Sequence, residues 1–187
     1  MTFRDDLLVG RRVAIAGGGG VAILEQLRSL GAWVDHLAGD VLSDEDAAAA
    51  WARERAPLTA AVIGAGEPFA AGGPAGLSDA LELSWRAAHA LATGALIEAQ
   101  EPARIVFVAP WRDAGPHAEA ARAGLENLAR TLSVEWARFA ITAVAIAPGP
   151  ATTAAQIAEL VCYLVSPAGG YLSGCRFDLG LIGAAAG

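Results

Sequence analysis

Six short apolar runs recur along the chain, at 11–17, 32–38, 58–66, 104–110, 141–148 and 175–180. They are rich in Val and Ile, and most close on Gly or Pro, as strands buried on both faces of a parallel sheet do. Between them, apolar positions three and four apart predict helices over 21–30, 44–55, 79–98, 116–138 and 153–165. Strands separated by helices require right-handed crossovers, so the pattern predicts an α/β doubly wound parallel sheet of about six strands, Rossmann-like, in a single domain spanning 1–187. No repeat or low-complexity linker divides it.

The longest predicted helix places Ala118, Ala121, Leu125, Leu128, Leu132 and Trp136 on one face. Pro116 suits its first turn, where a missing N–H costs nothing. Ala120, Ala121, Ala123 and Gly124 keep one surface thin. A mid-helix Gly costs roughly 1 kcal/mol against Ala, and close helix packing would offset it. The uncharged C-terminal run, with Leu181 and Ile182, adds apolar surface to this face and predicts an oligomer.

A chain of 187 residues, 55% of them hydrophobic, is long enough to bury a sizeable core. Its net charge of −7 excludes a basic stripe for nucleic acid or anionic lipid. The uncharged run 139–158 is long enough to suggest a membrane span, but Pro148, Gly149 and Pro150 would break such a helix, so it reads as a strand and loop. Acids near the N-terminus stand where a signal peptide needs bases, and a cytoplasmic protein is expected. Cys162 and Cys175 lack metal-ligand spacing and are too few for a disulfide framework, so they are expected as core or interface residues.

The segment ARAGLENLARTLSVEWARFAITAVAIAPGP, 121–150, resembles the short-chain dehydrogenases/reductases from their active-site helix to their Pro-Gly turn. LVGRRVAIAG resembles their first strand, RIVFVAP the strand bearing their catalytic Ser, and IAELVCYLVSPAGGYLSGCRFDLG their last helix and strand. The resemblance implies a Tyr-x-x-x-Lys motif in which Tyr is the acid/base and Lys lowers its pKa, assisted by a Ser and an Asn. The matching positions here are Ala118, Arg122, Pro110 and Ser84. The chain has no Lys, and its two tyrosines, Tyr163 and Tyr171, follow the Pro-Gly turn.

The resemblance also implies a glycine-rich cofactor loop, of which Gly17, Gly18, Gly19 and Gly20 would be a remnant about three residues short. A tight strand-to-helix turn is the competing reading. Ala38 stands where an acid would bind the adenosine ribose, and IGAG, 63–66, where the family has Asn-Asn-Ala-Gly. Segment 39–46 resembles the family's third strand and the start of the next helix, yet follows the second strand directly, as if one crossover helix were missing. After Pro150 the family's helical lid is absent.

His117, beside the vacant Tyr position, is either a substitute acid/base or a solvated first-turn residue. Arg122 would grip an anion or pair with an acid such as Asp113. His36 and His89 read as structural, and Glu126, Glu135, Arg130 and Arg138 as a charged helix edge. The expectation is a non-catalytic, pseudoenzyme subunit paired with an active paralogue, two copies of each, that binds NAD or NADP while this chain binds neither. The resemblance implies docking through 79–98, 116–138, 155–165 and 174–182, with Ala120, Gly124, Leu125, Leu128, Leu132, Trp136, Leu181 and Ile182 at the interface. The alternatives are an autonomous small-molecule-binding or regulatory module, and an enzyme with chemistry relocated near His117.

Overall fold

The structure is a computed structural model, and it describes residues 4–18, 20–70 and 72–180. Strands β1 (Arg12–Gly17), β2 (Trp33–Leu37), β3 (Ala60–Gly64), β4 (Ala103–Val108), β5 (Ile141–Ala147) and β6 (Arg176–Asp178) make one parallel sheet in the order β2-β1-β3-β4-β5-β6. Each lies within the run that predicts it or extends it by one residue. Helices α1 (Val21–Ser29), α2 (Gly39–Leu42), α3 (Glu45–Glu54), α4 (Gly66–Phe69), α5 (Gly73–Leu91), α6 (Ile97–Ala99), α7 (Ala118–Glu135) and α8 (Ala154–Val165) connect them, with a wide π turn, Ala92–Leu96, between α5 and α6.

Alternate strand residues serve opposite faces of the sheet. Val13, Ile15, Val62, Val106 and Val144 pack with Ile23, Leu27, Ile157 and Val161 of α1 and α8. Ala14, Ile63, Ile105, Phe107 and Ala143 pack with residues of α3, α5 and α7, among them Ala52, Leu91 and Leu125. Alanines dominate this second layer and bring the helix axes close. The π turn carries the closest approach: a Cβ on Gly94 would lie 2.5 Å from the Ala49 carbonyl oxygen.

Segment 39–46 corrects the sequence reading. It is not a strand: residues 39–42 coil into α2, and the Asp44 side chain then caps α3 by accepting from the Ala47 amide. The outer strand is missing as well as its crossover helix, which leaves β2 at the sheet edge. The helix expected over 79–98 starts earlier, at Gly73, with Pro74 in its first turn. The uncharged run 139–158 is β5, its turn and the start of α8, and no helix among the described residues is long and apolar enough to cross a membrane. Between β5 and α8 only residues 148–153 intervene, closed by a capping box of Thr153 and Gln156.

Chain connections leave β1 toward β2 on one side and arrive at β3 on the other. Ligands in such sheets bind outside the carboxyl ends of the strands at this reversal, so the glycine run at the end of β1 faces the expected crevice.

Candidate functional site

The crevice is built from glycines. Gly17 has φ +64°, and a Cβ there would lie 2.2 Å from the Gly64 carbonyl oxygen, so only Gly lets β1 and β3 end side by side. Gly20, at φ +69°, leads into α1 without a side-chain cap. Three residues thus turn the strand into the helix; of them, Gly19 lies outside the described residues.

Glu67 of α4 lies against this turn. A Cβ on Gly18 would be 2.6 Å from the Glu67 Cβ and 3.0 Å from its Oε2. Glu67, Gly17 and His36 line two adjoining lobes of about 490 and 260 Å³. The larger is also bordered by Asp79, Glu82 and Arg86, with Arg86 paired to Glu82 at 3.1 Å. Carboxylates outnumber cations there, and the free amide end of α1 has Glu67 as its nearest anion in the lining.

The positions matched to the catalytic groups lie farther along the sheet, around the ends of β4 and β5. Ala118 is fully buried in the core, Pro110 is buried, and Ser84 is buried in α5 with its hydroxyl donating to the Ala80 carbonyl at 2.7 Å. Arg122 is also fully buried. Its Nη1 donates to the Pro110 carbonyl at 3.2 Å and the Pro148 carbonyl at 2.5 Å, joining the segments that leave β4 and β5. Nε faces Glu119 at 3.4 Å and Nη2 faces Asp178 at 3.6 Å, without hydrogen bonds. Asp113, the acid suggested by sequence, is not among its partners. Burial lowers the Arg122 pKa, with Glu119 and Asp178 opposing and Arg112 and Arg176 reinforcing the shift.

The network continues outward. Arg112 pairs with Glu119 at 2.8 Å, and Arg176 of β6 pairs with Asp178 at 3.3 Å and Glu126 at 2.6 Å. Glu126 and Arg130 therefore belong to a bridge between α7 and β6 as well as to a helix edge. A guanidinium is charged at any ordinary pH and does not shuttle protons. What Arg122 does here is donate to two carbonyls and set its charge beside two carboxylates.

His117 precedes α7, caps nothing with its side chain and lines neither lobe. His89 pairs with Glu45 at 2.5 Å and stacks on Trp85, a structural arrangement. His36, near the end of β2 and beside the glycine turn, borders both lobes. Its nearness to the turn depends on pairing with Ile15, which sequence spacing does not reveal. Glu67 carries no motif at all.

The expected docking face also changes. Leu125 and Leu132 are fully buried and Trp136 nearly so, all in the chain's own core, with Leu128 packed against it. Gly124 is thin because Leu81 of α5 covers it, 2.7 Å from where a Cβ would be. Ala120 remains exposed, and Ala123, Asn127, Thr131 and Val134 continue an uncharged exposed stripe along α7. Leu181 and Ile182 lie outside the described residues.

A family model described as enoyl-(acyl carrier protein) reductase matches residues 24–156. No curated protein matches the chain significantly. Among solved structures, the citronellol catabolism dehydrogenase AtuB of Pseudomonas aeruginosa PAO1 is 23% identical, with a TM-score of 0.74 over 95% of this chain and 97% of that one. BdcA of E. coli is 19% identical, with a TM-score of 0.71 over 92% and 100%. A Beutenbergia cavernae protein assigned as an NAD(P)-dependent gluconate 5-dehydrogenase, with NADP bound at low occupancy, is 20% identical at a TM-score of 0.72 over 94% and 97%. These likenesses establish the fold.

Proposed function

The chain belongs to the short-chain dehydrogenase/reductase family, and from that premise we propose that it is a non-catalytic subunit supporting an active NAD(P)-dependent paralogue in a cytoplasmic complex. The observation that carries the reading is Arg122. Where the family pattern places a Lys that assists a Tyr, this chain buries a guanidinium in carbonyls at the ends of two strands, one turn along from a buried Ala118. The space for proton transfer is filled by a structural clamp.

The residues of the crevice do not fit a dinucleotide. A pyrophosphate at the amino end of α1 would meet the Glu67 carboxylate that already lies against Gly18. Like charges about 4 Å apart repel by roughly 4 kcal/mol at an effective dielectric near 20. Ala38 offers no carboxylate to a ribose, and Asp79 and Glu82 add negative charge to the larger lobe. No step of a hydride transfer is assigned to this chain.

What remains suited to a role is the α5–α7 surface. Its stripe from Ala120 to Val134 is uncharged, with Val134 76% and Trp85 42% exposed. Small residues at such a surface let a partner helix approach closely, which favours docking to a paralogue of the same fold, two copies of each. The test of the cofactor half is calorimetric titration of the isolated chain with NADH and NADPH. No saturable heat is expected up to high micromolar concentration, and a micromolar Kd would overturn the reading.

A second reading keeps some support. The larger lobe stays open at about 490 Å³, a volume ordinary for small-molecule sites, and so favours a ligand-binding module as the alternative. Chemistry relocated to His117 has no such observation behind it.

A further inference from the structure

Away from both clusters, at the opposite, amino-terminal end of the strands, Arg104 opens β4 proper without an acid. Its Nη1 donates to the adjacent Ala103 carbonyl at 3.0 Å, its Nε is buried with no hydrogen-bond partner, and Nη2 lies against the backbone of Gly170, where any Cβ would collide with it. Arg12, Arg55, Arg122 and Arg176, buried or half-buried arginines that cross between elements, each face a carboxylate. Arg104 faces none. Burial lowers its pKa, and its charged neighbour, Arg11, lowers it further. A cation held half out of water without a counter-charge is unfavourable by itself.

This arginine borders a groove of about 540 Å³ between the amino ends of β4 and β5 and the turn after α8. Tyr171 and Ser173 bring hydroxyls to the same groove, while the Ser133 and Thr142 hydroxyls that also border it donate to the Arg130 and Ala103 carbonyls. The Ser173 oxygen accepts from the Ala143 amide, so its proton is free to be donated outward, and Tyr171 is 95% exposed. The concavity, the uncompensated guanidinium and the hydroxyl donors are three separate features, and they converge on one ligand chemistry.

We propose that the groove bordered by Arg104, Ser173 and Tyr171 is an oxyanion site that takes a carboxylate or phosphate group. The group arrives on a free small molecule or on an acidic side chain of a bound subunit. This inference is independent of what the glycine crevice binds.

The test is a thermal-unfolding titration of the purified chain with inorganic phosphate, against sodium chloride of matched ionic strength. A rise in Tm of a few degrees, saturating in the millimolar range, is expected for the unaltered chain. Arg104→Gln should lose the saturable part, and Arg138→Gln, a surface arginine stacked on Phe139, should keep it. Phosphate stabilises many proteins by exclusion from their surface, so an equal rise in Arg104→Gln would overturn the proposal, as would no rise in the unaltered chain. If Arg104→Gln does not fold, Arg104→Lys serves instead, and its saturation should move to at least severalfold higher phosphate; an unchanged midpoint would contradict the site. Repeating the titration on the complex separates the sources. A response retained there identifies a free oxyanion, and one lost there identifies a subunit's carboxylate.

Discussion

Arg122 carries the proposed reading at the scale of one residue. A Lys at its position would present one point charge, whereas the guanidinium donates through one nitrogen to Pro110 and Pro148 and turns the other two toward Glu119 and Asp178. Replacing it by Ala leaves the Pro110 and Pro148 carbonyls without their donor, while Asp178 keeps Arg176, and should cost about 1–3 kcal/mol in urea unfolding. Restoring the family motif by Ala118→Tyr with Arg122→Lys should not create a dehydrogenase. Tyr does not fit the fully buried Ala118 position without displacing the core, so the double variant should lose more than about 1–3 kcal/mol and show no NAD(P)-dependent turnover. Measurable turnover by a stable double variant would show that the pocket is not closed. Cys162 gives a pH test at the same scale. Burial, reinforced by Glu159, pushes its pKa up to about 12, so the folded protein holds the thiol neutral while the unfolded chain ionises in the ordinary thiol range. Its stabilising contribution is complete below pH 8 and declines as pH rises toward 12, by about 1.4 kcal/mol per unit once the unfolded thiol titrates. Alkylation at pH 8 should spare Cys162 in the native protein and modify it in urea.

Elements were legible where a face had a period. The six strands and the faces of α1, α7 and α8 follow from their apolar runs and spacing, and for β1, β3, β4 and β5 burial on both sides of the sheet leaves little choice of residue. Segment 39–46 was not legible, since Val41 and Leu42 read equally as a short strand or one helical turn, and only the lack of chain to cross back decides it. Gly124 was legible as a close contact but not as an internal one: only the structure shows Leu81 over it. That distinction yields a paired prediction. Gly94→Ala would press on the fixed Ala49 carbonyl and should destabilise by roughly 1–3 kcal/mol. Gly124→Ala meets only the flexible end of Leu81, and the gain of about 1 kcal/mol in helix propensity should leave stability near neutral. Thermal unfolding of both variants checks the contrast, and equal losses would mean that the two helix contacts are alike.

The molecule combines a six-stranded parallel sheet with strand ends clamped by Arg122 and a crevice carrying its own carboxylate at the glycine turn. The candidate site was only partly readable for a physical reason. Missing groups, such as Lys, are visible in a sequence, while groups brought together by the packing of distant elements, such as His36 with Glu67 or Arg122 with Asp178, are not. Assembly through α7 is the claim on which the functional account turns. Native mass measurement of the chain co-expressed with an intact family member from its own genome tests it most directly, alongside Ala120→Glu with Ala123→Arg, which charges the exposed stripe without touching the core. The account predicts one complex with two copies of each chain, active with NAD(P), which the charged variant dissociates while remaining folded. A stable monomer of the unaltered chain that retains no paralogue, or one that turns over substrate by itself, would contradict it.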